Sequence, residues 1–328
     1  MNVVASTGNK DIAMVYVVDF DGNLVECVEA VQPPVPREKK WVLMISTLFG
    51  CPIGCRMCDA GGHYRGKLDV EEMAAQIEYL ISTRYPDGHV PAQQFKIQFA
   101  RMGEPALNPD VLNLLETLPT RISAPGLMPS LSTVAPHGQD GFFTRLTEIK
   151  NANYSQGRFQ FQFSLHTTDE NLRQELVPVR TWDFRQMADF GQRYYRDGDR
   201  KITLNFALAE SSPIEVDILK TYFDPDLFLI KITPLNPTYQ AQDHGLSSYF
   251  EGRQTDDHPL LDDIRSAGYE VILSVGELEE NEIGSNCGQY VQRHLNAPDS
   301  MPGGYTYQVL DGDPGGGEME SGRCHFDD

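Results

Sequence analysis

The sequence contains no apolar run near the roughly 18 residues that a membrane span requires. Residues 1–11 carry one lysine and no apolar segment of the kind found in secretory signals, so we expect a cytoplasmic protein without disulfides. Basic side chains are also scarce, with 27 Lys and Arg against 47 Asp and Glu and a net charge of −20. Nucleic-acid binders gain much of their affinity by neutralising phosphates, so nucleic acid is disfavoured as a substrate.

The chain has 328 residues, of which 40% are hydrophobic and 23% charged, which is typical of a soluble globular protein. This length suits one large or two small domains. Short β-rich runs alternate with longer segments of helical character, which predicts an α/β fold with parallel strands. The six predicted strands cover residues 41–47, 95–100, 128–134, 159–165, 202–208 and 228–233, and residues 269–275 are a candidate seventh.

Local signals mark where helices begin. Asp69 can cap a helix, and Glu72 three residues later completes a capping box. Asp169 can cap another helix, and Asn108 or Asp110 can start a third. These helices would connect the predicted strands.

The two ends of the chain differ from the middle. Residues 12–20 and 24–30 predict a β-hairpin around an Asp-Gly turn, and the C-terminal segment is rich in Gly, Asp and Pro. We therefore predict three parts: an N-terminal β-hairpin extension over residues 1–40, a central domain over 41–296 and a mobile acidic tail over 297–328.

Three cysteines lie close together just after the first predicted strand, in the spacing C-x-x-x-C-x-x-C: Cys51, Cys55 and Cys58. Thiolates in such a loop can all point at one metal centre, and soft sulfur ligands suit iron–sulfur clusters and zinc. A structural zinc would need a fourth ligand, for which His63 is the nearby candidate. Three cysteines on a four-iron cluster would leave one iron open to bind and cleave a cofactor.

This spacing after a first strand resembles the radical S-adenosylmethionine (SAM) superfamily, whose partial (β/α)6 TIM-like barrel binds a four-iron cluster through the same motif. Further motifs, in order along about residues 12–291, resemble the adenine-C2 methyltransferases of 23S ribosomal RNA and their C8-methylating relatives. They are Ser46-Thr47-Leu48-Phe49-Gly50, Met102-Gly103-Glu104-Pro105 with Asn108, Leu131-Ser132-Thr133-Val134, Ser164-Leu165-His166 with Arg173 and Pro178, Pro234-Leu235-Asn236-Pro237, and Cys287-Gly288-Gln289. The resemblance implies a radical SAM barrel over residues 41–296.

The resemblance also implies which residues hold the two cofactors. The cluster ligands would be Cys51, Cys55 and Cys58, and the SAM contacts would be Gly103, Glu104, Ser132, Ser164, Leu165, His166 and Asn236. Glu104 would take the amino group of SAM, because a carboxylate is a natural partner of an ammonium group. These positions lie at predicted C-terminal strand ends, where barrels place their chemistry.

Cys287 and Glu26 match two catalytic positions of that family. The family's cysteine before Gly-Gln is methylated by one SAM, and a 5′-deoxyadenosyl radical from a second SAM abstracts hydrogen from that methyl. A carboxylate in the N-terminal hairpin accepts a proton, which is reasonable because release of the adduct requires a proton to leave the substrate carbon. A second role is open to Cys287: it would donate a hydrogen atom in a radical rearrangement or epimerisation.

One family residue is missing. The second cysteine, which resolves the adduct, would stand seven residues before the first cluster ligand, and that position holds Met44. A thioether has no thiol with which to attack. Cys27 and Cys324 are candidate substitutes, and a route without a resolving cysteine is the third alternative. Because adjacent strand residues point to opposite faces, Cys27 and Glu26 cannot easily line one pocket.

Together these features predict a radical SAM enzyme that functionalises an unactivated carbon of a small-molecule or otherwise non-ribosomal substrate, by methyl or methylene transfer through Cys287. The RNA-modifying relatives carry a basic N-terminal RNA-binding domain, whereas about 40 residues precede the predicted barrel here and the net charge is −20. A ribosomal RNA adenine methyltransferase and a non-catalytic cluster protein are the alternatives. A reducing electron donor such as flavodoxin or ferredoxin is the expected partner, and no membrane is expected.

Overall fold

The computed structural model describes residues 1–249 and 258–312. Its strands are β1 (Asn2–Asn9), β2 (Ala13–Phe20), β3 (Asn23–Ala30), β4 (Lys40–Ile45), β5 (Leu48–Cys51), β6 (Gly62–Lys67), β7 (Gln94–Phe99), β8 (Leu127–Thr133), β9 (Gln160–Ser164), β10 (Ile202–Leu208), β11 (Phe228–Pro234), β12 (Val271–Leu273) and β13 (Leu310–Asp311).

The helices in the same ranges are α1 (Val70–Arg84), α2 (Asp110–Arg121), α3 (Asp140–Asn153), α4 (Glu170–Leu176), α5 (Phe184–Tyr194), α6 (Val216–Tyr222), α7 (Tyr239–Asp243), α8 (Pro259–Ser266), α9 (Leu278–Ile283) and α10 (Val291–Leu295). A 3₁₀ turn covers Pro105–Leu107. Within the two described ranges, no helix combines the length and the apolar character needed to cross a membrane.

Seven neighbouring strands run parallel, in the order β12-β11-β10-β9-β8-β7-β4. They coincide with the six predicted strands and the candidate seventh, so the predicted α/β class and parallel barrel strands are confirmed. Along β7, the fully buried Phe95, Ile97 and Phe99 alternate with half-buried polar residues. The buried set packs into the main core with Ile77 and Leu80 of α1, which leaves the polar set on the opposite, concave face.

The N-terminal strands continue this sheet instead of forming a separate layer. β3 pairs antiparallel with β4, and β2 and β1 follow in order, with β13 at the edge. The hairpin of β2 and β3 was predicted, and its turn residues Asp21 and Gly22 both have positive φ, 50° and 85°. Strand β1 and the β5–β6 hairpin were not predicted. β6 is largely exposed and has no apolar alternation, so no periodic signal marks it.

Two of the predicted helix starts are capped as expected. Asp69 accepts from the Glu72 N–H at 2.8 Å, and the Glu72 carboxylate accepts from the Asp69 N–H at 2.8 Å, which is a complete capping box on α1. Asp169 caps α4, and α2 begins at the later of its two candidate residues. A second capping box, Asp183 with Gln186, starts α5. That signal was present in the sequence and was missed.

Part of the segment predicted to be mobile packs against the fold. β13 pairs with β1, and the buried Tyr305 ring stacks on His294 with centroids 4.5 Å apart. These contacts place residues 297–312 beside the N-terminal strands, and residues 313–328 lie outside the described residues. The predicted boundary at residue 297 therefore does not separate packed from unpacked chain.

Candidate functional site

The polar motif residues meet at the C-terminal edge of the parallel strands. β7 leads into Gly103 and Glu104, and β8, β9 and β11 end beside the other predicted SAM contacts. The N–H groups of Thr47 and Leu48 donate to the Met102 carbonyl at 2.8 and 3.2 Å, so the chain that bears the cysteines lies directly beside the end of β7. Parallel strands share one C-terminal edge, and the structure gathers the predicted site there.

Cys51, Cys55 and Cys58 are half-buried at the end of β5 and in the loop that follows. Burial raises the pKa of Cys51 to about 11, while the N–H groups of Ile53 and Gly54 point at its sulfur and oppose that rise. Burial also raises the pKa values of Cys55 and Cys58, and the neighbouring cysteine charges raise them further. The three thiols therefore lie within electrostatic range of one another.

This donor set fits an iron–sulfur cluster better than a single zinc ion. Three soft sulfur ligands on one loop match the ligand chemistry of such clusters. His63, the candidate fourth ligand for zinc, is exposed on β6.

Glu104 is buried, and its carboxylate already has three protein partners. The Ala106 N–H at 3.0 Å and the Thr133 hydroxyl at 2.5 Å donate to one oxygen, and the Val134 N–H donates to the other at 2.9 Å. Burial raises the pKa of Glu104 to about 7, against the effect of these hydrogen bonds. A carboxylate accepts about four hydrogen bonds, so one position stays available for a cation.

Glycine is required at position 103, beside Glu104, for a steric reason. Its φ is 102°, and a Cβ there would lie 2.6 Å from the side chain of Leu48 on β5. A side chain would push β5, and with it the cysteine loop, away from the end of β7. The motif glycine therefore sets how closely Glu104 approaches the cysteines.

His166 and Asn205 present polar atoms that the protein leaves unpaired. His166 has a φ of 69°, and burial, followed by the charge of Arg173, lowers its pKa to about 4, so the ring is neutral at pH 7. Its Nδ1 and the Oδ1 of Asn205 are buried with no hydrogen-bond partner in the described residues. Such atoms cost free energy unless a bound molecule satisfies them. These two unpaired atoms suit a polar ligand such as SAM.

Neighbouring strands bring the remaining predicted contacts to the same place. Ser164 pairs in register with Asn205, and the Leu165 N–H donates to the Asn205 carbonyl at 2.9 Å. Ser132 is half-buried on β8, opposite Gln162 of β9. Asn205 itself was missed, because it stands in the middle of a strand with no motif around it and only the register places it in the site.

Cys287 lies in a loop that neighbouring segments hold. The Asn236 side chain donates to the Cys287 carbonyl at 2.9 Å, and the Gly288 carbonyl accepts from the Asp59 N–H at 2.8 Å. The Gln289 side chain donates to a carbonyl beside Asn236 at 3.0 Å. The Cys-Gly-Gln motif is thus fastened both to the cysteine loop and to the chain after β11.

The Cys287 thiol lies within electrostatic range of the cluster cysteines Cys55 and Cys58. Solvent can reach it, yet enough protein surrounds it that desolvation raises its pKa, and the charges of Arg101 and Lys231 oppose that rise. The Cys287 charge in turn raises the pKa values of Cys55 and Cys58. The structure therefore brings together residues that are more than 220 positions apart in the sequence.

Glu26 is fully buried, and its partner is Arg101, a residue that the sequence did not single out. Glu26 Oε2 accepts from Arg101 Nη2 at 2.6 Å, and a backbone N–H of α10 donates to Oε1 at 3.0 Å. Arg101 also donates to the three carbonyls that precede Cys287, at 3.0–3.2 Å. Its guanidinium lies 4.7 Å from the centre of the Tyr290 ring. Glu26 thus holds Arg101, and Arg101 holds the Cys287 loop.

The resolving position and its two candidate substitutes occupy different environments. Met44 is half-buried on β4, paired with Val28 of β3. Cys27 is fully buried in the main core, where desolvation raises its pKa strongly. It faces the side of the sheet away from Glu26, as strand alternation predicts, so it does not line the pocket. Cys324 lies outside the described residues.

The parallel strands, with three cysteines in a loop at their C-terminal edge, can be compared with solved structures and curated sequences. A radical SAM methyltransferase from Sphaerobacter thermophilus has a crystal structure that matches this chain with a TM-score of 0.65, covering 88% of this chain and 81% of that one at 19% identity. This likeness shows a shared fold.

Among curated proteins, similar sequences carry the name probable dual-specificity RNA methyltransferase RlmN. The protein of Prochlorococcus marinus strain NATL2A is 27% identical over 191 residues, 58% of this chain and 50% of its own length. That of Streptomyces coelicolor is 28% identical over 295 residues, 82% of this chain and 71% of its own length. No model of a protein family matches the chain.

The chain spans about half the length of the Prochlorococcus relatives that it matches. These relatives and the shared fold confirm the predicted resemblance to radical SAM enzymes. The expected type of cofactor, a [4Fe–4S] cluster used with SAM, agrees with that relationship.

Gly288→Ala should displace the Cys287 loop, because Gly288 has a φ of 88° and a Cβ there would lie 2.9 Å from the Met57 carbonyl. Gly138→Ala is the matched control, with a φ of 84° and open space around it. A left-handed backbone costs a non-glycine residue about 1–2 kcal/mol, so both variants should lose that much stability. Gly288→Ala should lose more stability than the control, and its Cys287 thiol should react with a thiol reagent at a rate different from that of the wild type. Equal losses would contradict a tightly packed loop.

Arg101→Met should lower the free energy of unfolding by about 3–5 kcal/mol, because it leaves the Glu26 carboxylate buried without its cation. The double variant Glu26→Met/Arg101→Met should recover part of that loss, since neither charge is then stranded. Denaturation in urea measures both. Arg145→Met removes an exposed pair with Glu116 and should cost no more than about 1 kcal/mol. If Arg101→Met lowers the free energy of unfolding no more than Arg145→Met does, the buried pair does not stabilise the fold.

Proposed function

We propose that this protein is a radical SAM enzyme that functionalises an unactivated carbon of a non-ribosomal substrate, by methyl or methylene transfer through Cys287. In this proposal Cys51, Cys55 and Cys58 hold a [4Fe–4S] cluster, which with SAM supplies a 5′-deoxyadenosyl radical when both are bound. The observation that carries the proposal is the placement of Cys287 within electrostatic range of the cluster cysteines. A protein that merely stored a cluster would have no use for such a thiol.

The polar residues at the strand ends would bind and orient SAM. The open acceptor position on Glu104 suits the amino group. The unpaired Nδ1 of His166 and Oδ1 of Asn205 would be satisfied by hydroxyl groups, which both a ribose and a bound water supply. Ser132 and Ser164 add hydroxyls on the adjoining strands.

Arg101 would prepare Cys287 and hold it in place. Its charge opposes the rise in the Cys287 pKa, and the thiolate is the form of cysteine that accepts an alkyl group. Its bonds to the preceding carbonyls fix where the sulfur stands. The proton-accepting role proposed for Glu26 requires its ion pair with Arg101 to open, because Arg101 now occupies one oxygen.

Methylation of ribosomal RNA is the second candidate, because the curated relatives are named as RNA methyltransferases. The net charge of −20 supports the non-ribosomal alternative, since phosphate backbones are bound through positive charge. Salt-sensitive binding of ribosomal RNA fragments at about 50 mM salt would favour RNA. A low-potential donor such as flavodoxin or ferredoxin is the expected reducing partner in either case.

Anaerobic reconstitution with iron and sulfide should give a protein that binds about four irons and, once reduced, cleaves SAM to 5′-deoxyadenosine. Cys55→Ala should abolish the cleavage and lower the iron content. Cys27→Ala is the matched control, because Cys27 lies in the core away from the site. Its loss should change neither SAM cleavage nor the iron content. A protein that binds zinc tightly and never cleaves SAM would overturn the proposal.

Protein isolated from cells with active SAM metabolism should carry an added methyl group on Cys287, which peptide mass analysis detects. Cys287→Ala should stop product formation while SAM cleavage persists, because the cluster ligands and the SAM contacts are other residues. An unmodified Cys287 with solvent deuterium in the product would assign it as a hydrogen-atom donor. Full turnover by Cys287→Ala would exclude both roles.

A further inference from the structure

The concave face of the barrel carries cations, although the protein is acidic overall. Lys96 on β7 and Lys231 on β11 are half-buried, and each stands between fully buried core residues of its own strand. Those neighbours pack into the main core. Because successive side chains on a strand alternate between its two faces, both lysines project to the concave side.

The two lysines face each other across this concavity. β7 and β11 are four positions apart in the sheet, which is roughly 19 Å along a flat sheet. In a parallel α/β barrel the sheet curls, so side chains on the concave faces of opposite strands converge on the space that it encloses. In agreement, burial and then the charges of Lys231, Lys40 and Arg200 lower the pKa of Lys96.

In residues 1–249 and 258–312, no carboxylate offsets this charge. The groups that act on Lys96 include no acid, and neither Lys96 nor Lys231 has an ion-pair partner there. Burial, then the neighbouring cations, lower the pKa of Lys96 to about 7. Elsewhere a buried cation is paired, as Lys150 is with Asp199. A bound anion would supply the counter-charge that the described residues do not, and would favour the charged form of both lysines.

The lysines lie deeper than the reactive end of the pocket. Each precedes the C-terminal end of its strand by three residues, which corresponds to about 10 Å. The charge of Lys231 opposes the rise in the Cys287 pKa, so the two groups lie within electrostatic range of each other. Asn205, whose Oδ1 is unpaired, stands in register with Lys231. A molecule held at the lysines can therefore reach upward to Cys287.

We propose that the substrate is a small molecule whose terminal carboxylate or phosphate is bound by Lys96 and Lys231, with the carbon to be modified beside Cys287. This rests on the proposed function and names its substrate class. A terminal anionic group can enter a pocket whose cations lie about 10 Å below the strand ends, whereas the internal phosphate of a nucleic-acid strand needs an open groove for the chain on both sides.

Calorimetric titration of the full, reconstituted chain with inorganic phosphate and with succinate tests the site. At least one anion should bind, and Lys96→Met and Lys231→Met should each weaken that binding at least about tenfold, since hydrogen bonds to charged groups are worth that much. Lys220→Met is the matched control, because Lys220 is exposed on α6 beside Asp217, and it should bind as the wild type does. Preference between the two anions identifies the terminal group.

Thermal unfolding shows whether these variants remain folded. Lys96→Met should be at least as stable as the wild type, because it removes an amine whose burial disfavours its charged form and that has no ion-pair partner in the described residues. The proposal is overturned if neither anion binds, or if both lysine variants bind like the wild type. It is also overturned if Lys220→Met weakens binding equally, or if ribosomal RNA fragments bind and Lys96→Met abolishes that binding.

The anion measurement does not depend on the radical chemistry. A protein that cleaves SAM but binds neither anion refutes the anion site alone. A protein that binds an anion through Lys96 and Lys231 but never cleaves SAM refutes the proposed function alone.

Discussion

The buried ion pair between Glu26 and Arg101 joins three distant parts of the chain. Glu26 stands on β3, Arg101 follows β7, and the carbonyls that Arg101 binds immediately precede Cys287. Because both charges are excluded from water, neither can be left without the other at small cost. The position of the Cys287 loop therefore depends on the N-terminal strands being part of the sheet. The hairpin predicted as an extension is a structural element of the site.

A second constraint is the close contact of backbones around the cysteine loop. Gly103 permits β5 to approach the end of β7, and Gly288 permits the Cys287 loop to approach the Met57 carbonyl. Both have positive φ, and a side chain at either would collide with its neighbour. These contacts, together with the Arg101 bonds, bring Cys287 to the three cysteines. The chemistry of the motifs thus depends on spacing that glycine alone allows.

Charge is distributed in opposite senses outside and inside the molecule. The chain has a net charge of −20, yet Lys96 and Lys231 project into the concave face with no acid beside them in the described residues. A net charge describes the field that a distant partner meets, whereas a ligand in a pocket meets the few groups that line it. The acidic composition and a preference for an anionic substrate are therefore compatible.

Much of the barrel could be predicted because its signals are local. Parallel strands that are buried on one face show as short β-rich runs, and Asp69 with Glu72 marks a helix start by hydrogen bonds within four residues. The cysteines were found for the same reason, since three ligands in one loop are neighbours in sequence. β6 escaped because an exposed hairpin strand has no burial pattern, and α5 was overlooked although its capping box was visible.

The sequence by itself determined the fold class, the cysteine loop and the set of motif residues, because each rests on periodicity or on spacing along the chain. Tertiary structure alone decided which of these residues act together. Arg101 acquires its role from Glu26, 75 positions away, Asn205 from its register with Ser164, and Lys96 from a lysine four strands distant. No local pattern encodes these pairings, since they follow from how the sheet curls and which strands become neighbours.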